Sequence, residues 1–156
     1  MQTGIHVTRP SDREVRTERT IDAPRRSVWR AFTDPGLIAR WWARGHEMTI
    51  ETFEVRAGGH WRFVEHAPDG DFGFEGRFRE LDEPVRISQT FEYDGEPGHV
   101  SLTTVEFEEI DAGHTLIVET AMFMTAEDCE AMLSSGMLDG MAESYEALDR
   151  LLGSAP

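Results

Sequence analysis

The chain has no lysine: all 15 of its basic residues are arginine, set against 30 acidic ones. The resulting net charge of −15 argues strongly against nucleic acid or an anionic membrane as partner, because like charges repel the approach. Cysteine occurs once, at Cys129, so no intrachain disulfide can form and a reducing compartment is expected. No basic residue stands near Cys129 in sequence to activate its thiol. No apolar run approaches the ~20 residues of a membrane span. The opening MQTGIHVTRPSDR also lacks the apolar segment of a signal peptide. His6, His46, His60, His66, His99 and His114 are scattered, with no i, i+4 pair and no cysteine or carboxylate cluster to complete a metal site. Nucleophile elbow, phosphate loop, dinucleotide fingerprint and Ser/His/Asp set are all missing. The expectation is a soluble cytoplasmic protein with no assigned catalytic residue, metal or cofactor.

At 156 residues the chain is long enough for one domain with a real core. Residues 1–13 are polar with little periodicity and read as a flexible tail, leaving 14–153 as the domain. Val15 to Ile21 alternates and reads as a half-buried strand. Asp22-Ala23-Pro24 starts a short helix, with Asp22 as cap candidate and Val28, Trp29 and Phe32 as its apolar face. Asp34-Pro35 ends that helix and begins a second, with Leu37, Ile38, Trp41 and Trp42 inward. Strands follow from Glu47 to Phe123, punctuated by Ala57-Gly58-Gly59, Pro68-Asp69-Gly70, Asp82-Glu83-Pro84, the Asp94 to Gly98 turn, and Asp111-Ala112-Gly113. A parity change between Ile50 and Phe53 predicts a bulge near Thr52.

Thr125 to Leu152 closes the chain as a long amphipathic helix with a break marked at Ser134 to Gly136. Met137, Met141, Tyr145, Leu148 and Leu152 recur at helical spacing, so they share one buried stripe. Thr125 is a good N-cap, and Glu127 and Asp128 suit the positive end of the helix. Consecutive strands with short turns are antiparallel, and one amphipathic helix laid on their apolar face gives a two-layer α+β domain.

Several local sequences carry a resemblance. They are Ala23-Pro24 before Val28-Trp29 and Phe32; Asp34-Pro35 before Trp41-Trp42; Arg56-Ala57-Gly58-Gly59; and Ser135-Gly136-Met137 with Gly140-Met141, Ser144-Tyr145 and Leu148-Asp149-Arg150-Leu151. In this order they resemble the START-like superfamily, also called the polyketide cyclase/dehydrase and lipid transport (SRPBCC) superfamily. The branch is the one named after the activator of the heat-shock protein 90 ATPase. The resemblance implies a helix-grip fold: a curved antiparallel sheet wrapped around the C-terminal helix, with two short helices after the first strand and an apolar cavity between sheet and helix. Ala43-Arg44-Gly45 departs from the Gly-Pro or similar pair that many relatives carry after the double Trp. Family functions range over ligand binding, polyketide cyclisation and chaperone assistance, so the fold is implied far better than the job.

Trp41, Trp61, Phe63, Phe74, Phe78, Gln89, Phe91, Met137, Met141 and Tyr145 are the candidate lining of that cavity. Met and aromatic side chains make adaptable apolar walls. Periodicity alone reads the same set as packed core, and both readings stand at this point. Met at 137 and 141 leans toward a deformable pocket, because Leu would specify packing better. Gln89, Thr104 and Thr120 are candidates to orient a ligand's polar group, and Tyr145 needs a partner for its hydroxyl when buried. The expected function is binding of a small apolar or amphipathic molecule, with self-association as a weak homodimer left open. The rivals are a cyclase-type enzyme and a chaperone-associated interaction module, for which no additional partner-recruiting domain is read in the sequence. The enzyme needs an ionisable group in the cavity. Glu106 and Glu119 are its suspects, and both are expected to face solvent.

Overall fold

The computed structural model describes residues 4–153. Strands β1 (His6–Ser11) and β2 (Glu14–Ile21) form a hairpin, followed by helices α1 (Arg25–Thr33) and α2 (Pro35–Ile38). Strands β3 (Glu47–Phe53), β4 (His60–Ala67), β5 (Gly70–Asp82), β6 (Arg86–Tyr93), β7 (Ser101–Asp111) and β8 (His114–Phe123) come next. Helices α3 (Ala126–Ser134) and α4 (Met137–Gly153) close the chain. All eight strands lie in one antiparallel sheet in the order β1-β2-β8-β7-β6-β5-β4-β3. The sheet curves around the C-terminal helix, which is the helix-grip arrangement.

One expectation needs correction. The segment read as a flexible tail holds β1, paired with β2 from His6 opposite Glu18 to Ser11 opposite Glu14. Its side chains are all exposed, so no apolar alternation marks it in the sequence; backbone pairing holds it in place. Arg9 adds an ion pair to Glu130 on α3 at 2.8 Å and a contact to the buried Cys129 Sγ at 3.5 Å. The first three residues of that segment lie outside the described residues.

The turns behave as their residues dictate. Asp34 caps α2 through its carboxylate, which accepts from the backbone N–H groups of Gly36 and Leu37. Asp22 does not cap α1; Pro24 stands at that position without a side-chain bond. The predicted bulge falls between Ile50 and Thr52. Thr125 caps α3 by accepting from Asp128 N at 3.0 Å. The break in the last helix is real: Gly136 has a φ of 82°, the left-handed region that favours glycine.

The inward faces make one core. Ile21, Val28, Trp29, Trp41, Trp61, Phe63, Ile87, Phe107, Ile117, Tyr145 and Leu148 are buried together between the sheet, α1 and α4. The Ala43-Arg44-Gly45 turn is fixed by polar contacts. Arg44 has a φ of 59°, and its guanidinium pairs with the buried Glu65 at 2.8 Å. Ser144 Oγ on α4 donates to Trp42 O at 2.9 Å and accepts from Arg44 N at 3.2 Å, so one hydroxyl clamps this turn onto the helix.

Candidate functional site

The candidate lining residues divide into two groups in space. Trp41, Trp61, Phe63 and Phe78 are buried in the packed core, and Phe74, Gln89 and Phe91 are half-buried beside them. The rings make a continuous web: Trp42 meets Phe63 at 5.0 Å, Phe74 at 5.3 Å and Trp61 at 6.0 Å, mostly edge-to-face. Trp41 stacks on Tyr145 at 6.1 Å and donates its indole N–H to Ala31 O at 3.0 Å. This end of the concave face is filled.

Met137 and Met141 belong to the other group. With Met132, Leu133 and Leu138 they roof a small, partly open cavity of about 10 Å³ whose floor is Val15 and Thr17 of β2 and Glu119 and Ala121 of β8. That volume accommodates about one water molecule. The joint between α3 and α4 at Gly136 lies directly beside Met137 in the chain, so the roof spans a break in the helix.

Of the cavity's lining, Thr17 and Glu119 are polar, and behind Glu119 lies a buried polar cluster. Antiparallel pairing puts Thr17 opposite Glu119 and Arg19 opposite Ile117, and Val15, Thr17, Arg19 and Ile21 share the inward face of β2. Tyr145 of α4 donates its hydroxyl to Glu119 Oε1 at 3.2 Å. Arg19 Nη2 pairs with Asp149 Oδ2 at 3.0 Å, while the Arg19 side chain is only 4% exposed and its Nη1 has no hydrogen-bond partner. Glu119 was expected to face solvent; it points inward instead. It is half-buried and lines the cavity, while the protein packed around its carboxyl makes the surroundings those of an interior group. Burial pushes that carboxyl up to about 7, and the hydrogen bond from Tyr145 offsets the rise only in part. Tyr145 is pushed well above its ordinary value, first by burial and then by Glu119, with the Arg19 charge pulling the other way. A carboxyl in this state can take up or release a proton near neutrality.

Glu106 remains at the surface, where its carboxylate lies 3.8 Å from Arg86. Thr104 and Thr120 lie opposite each other on the outer face, where Thr104 meets Ser88 Oγ at 3.1 Å, so neither orients an internal ligand. Thr103, one residue earlier, pairs with Gln89 on the inward parity. Among the described residues, no group of three or more metal-capable side chains converges, and no helix is long and apolar enough to cross a membrane.

The sequence pattern that defines the Activator of Hsp90 ATPase homolog 1-like proteins matches residues 22–153. The chain belongs to that family. A crystal structure of a protein from Rhodobacter sphaeroides is 29% identical, with a TM-score of 0.87 over 97% of this chain and 99% of that one. The crystal structure of protein Ms6760 from Mycobacterium smegmatis is 23% identical, with a TM-score of 0.85 over 97% and 99%. A solution structure from Arthrobacter aurescens is 24% identical, with a TM-score of 0.86 over 96% and 92%; these last two likenesses speak to the fold alone. No curated protein matches.

For this member of the Activator of Hsp90 ATPase homolog 1-like family, sequence reasoning missed Arg19, Thr17, Met132 and the inward Glu119. Arg19 was recoverable, because Val15, Thr17, Arg19 and Ile21 share one parity in the clean alternation of β2. Glu119 was not: β8 carries Ile117 on one face and the equally buried Val118 on the other, so parity there gives no direction.

Proposed function

We propose that this protein binds a small apolar or amphipathic molecule between the concave face of the sheet and the α3–α4 joint. The observation that carries the reading is the methionine-roofed cavity over Thr17 and Glu119: flexible apolar side chains above, with one carboxyl among the lining residues. The cavity has room for about one water, so a ligand enters by displacing Met132, Met137 and Met141 and flexing the chain at Gly136. A larger groove of about 330 Å³ runs along the outer face between Leu102, Met122 and Met124. It is open, and Ser101 is the one buried polar residue in its lining, so it offers little to hold a small molecule in one orientation.

The test is a thermal-shift screen of flavonoids, fatty acids and polyketide-like compounds, followed by a structure with the best stabiliser. A ligand at about 100 times Kd stabilises by about 2.7 kcal/mol. A screen in which no compound raises the melting temperature sinks the reading. The cyclase-type alternative is supported by one observation, the Glu119 carboxyl on the cavity wall. Chemical change of a bound polyketide-like compound by the native chain, lost in Glu119→Gln, would favour it. Neither the fold nor the family match favours a chaperone-associated module.

A further inference from the structure

Arg19 and Glu65, the charged residues buried in the fold, each have a counter-ion. The Arg19 guanidinium meets Asp149 at 3.0 Å, and the Glu65 carboxylate meets Arg44 at 2.8 Å. Glu119 differs. Among the described residues it forms no ion pair, and the hydrogen bond to its carboxyl comes from the neutral Tyr145 hydroxyl, at Oε1. Burial and that hydroxyl are the influences on its ionisation, and no positive charge is among them. Its Oε2 has no partner among the described residues and is not sealed from solvent. The open space that Glu119 lines is the methionine-roofed cavity. It is the one ionisable residue in that lining, since Thr17 is neutral and the rest are apolar.

A carboxylate without a counter-ion is costly in apolar surroundings, and the cost falls when a cation comes beside it. An ammonium group on an apolar body supplies that cation and donates a charge-assisted hydrogen bond to the carboxylate. An anionic ligand would bring a second negative charge to the same wall, and a neutral one would leave the carboxylate uncompensated. The net charge of −15 also draws cations toward the chain. We therefore infer that the cavity selects an apolar amine, bound as its ammonium with Glu119 as the counter-ion. The inference rests on the binding reading given above and names the ligand class for that same cavity. Binding then draws on the ionised form of Glu119, so affinity follows a carboxyl that burial raises to about 7. The titratable or charged groups on the elements packed around it are Tyr145 and Asp149 of α4, Arg19 of β2 and Cys129 of α3; of these Tyr145 alone acts on its ionisation. Across β7 the facing residue is the apolar Val105.

Calorimetric titration of the full chain with 1-naphthylmethylamine, 1-naphthylmethanol and 1-naphthoate separates the possibilities. The three share one ring system and offer a cation, a neutral group and an anion. At about pH 8 the amine should bind at least about tenfold tighter than either of the others, the size of a charge-assisted contact. From about pH 8 to about pH 6 its affinity should fall about tenfold, as the carboxylate fraction drops from about nine-tenths to about one-tenth, while the alcohol's stays level. Glu119→Gln keeps the size of the side chain and removes its charge, so it should abolish both the preference and the pH dependence. If that variant does not fold, the pH dependence in the native chain decides alone. An alcohol that binds as tightly as the amine overturns the inference and leaves the cavity reading standing. Tightest binding of the naphthoate overturns it too. An amine preference that survives in Glu119→Gln assigns the cation to the acidic surface instead and likewise overturns it. If none of the three binds while the thermal-shift screen finds a stabiliser, the amine inference alone falls; if the screen is also empty, both fall.

Discussion

At one end of the concave face Trp42, Trp61, Phe63 and Phe74 lie with ring centroids 5.0–6.0 Å apart, and Trp61 and Phe63 are fully buried. At the other end Met132, Met137 and Met141 roof a cavity over Glu119, and the helix above them is broken at Gly136. Both ends lie under the same sheet and in the same domain. Rigid rings with few rotatable bonds lock together; unbranched thioethers over a helix break yield. The aromatic end therefore carries stability, and the methionine end carries the capacity to change shape.

The largest effect should come from opening the filled end. Trp61→Ala is expected to cost about 3–5 kcal/mol in a denaturant titration, the penalty for a large hole in a close-packed interior. A cost near 1 kcal/mol would mean the aromatic end is no tighter than the other, and the comparison would fail there.

The second effect is one of pH and belongs to the methionine end. The folded Glu119 carboxyl titrates at about 7, above its ordinary value of 4.5. Between those values the folded state holds more protons than the unfolded one. Stability is therefore highest below the ordinary carboxylate value and is lost as pH rises toward neutrality, by at most about 3 kcal/mol. Glu119→Gln should flatten this fall. His114, raised by its bond to Asp111, adds a loss above its own ordinary value that the substitution leaves in place. Asp94 and Asp111, held low by Arg62 and His114, give the opposite slope at more acid pH. An unchanged pH profile in Glu119→Gln would place the carboxyl in water after all.

Smaller still is the cost at the helix break. A Cβ at Gly136 meets nothing within 4 Å, so Gly136→Ala pays only for a left-handed backbone, about 1 kcal/mol. No loss of melting temperature would show that the joint re-forms without its glycine. Met141→Ala should cost the least, about 1 kcal/mol or less, because Met141 is half-buried and borders space already. Its effect on ligand affinity should exceed that on stability; a loss of about 2–5 kcal/mol with affinity unchanged would return Met141 to plain core.

The sequence made the domain legible where residues leave one option. The Met137, Met141, Tyr145, Leu148 stripe, the Asp34 and Thr125 caps, and the glycine at 136 each dictate a local structure that tertiary packing keeps. β1 was illegible because its side chains bury nothing, so its only signal is backbone pairing. Of the candidate lining, Met137 and Met141 border the cavity, while Trp61, Phe63 and Phe78 fill core. Periodicity assigns residues to a face but not to a position along it, and the difference between filled and open ends lies along the face. Glu119, bonded to Tyr145, and Arg19, paired with Asp149, are polar groups inside an apolar surface, the place where local patterning is least informative.

Methionine methyl resonances report the two ends and the outer groove separately. Met132, Met137 and Met141 line the cavity, Met48 packs at the aromatic end, and Met122 and Met124 line the outer groove. Titration of methyl-labelled protein with the best stabiliser from the thermal-shift screen should shift Met132, Met137 and Met141 and leave Met48, Met122 and Met124 in place. Shifts confined to Met122 and Met124, or led by Met48, would contradict the account.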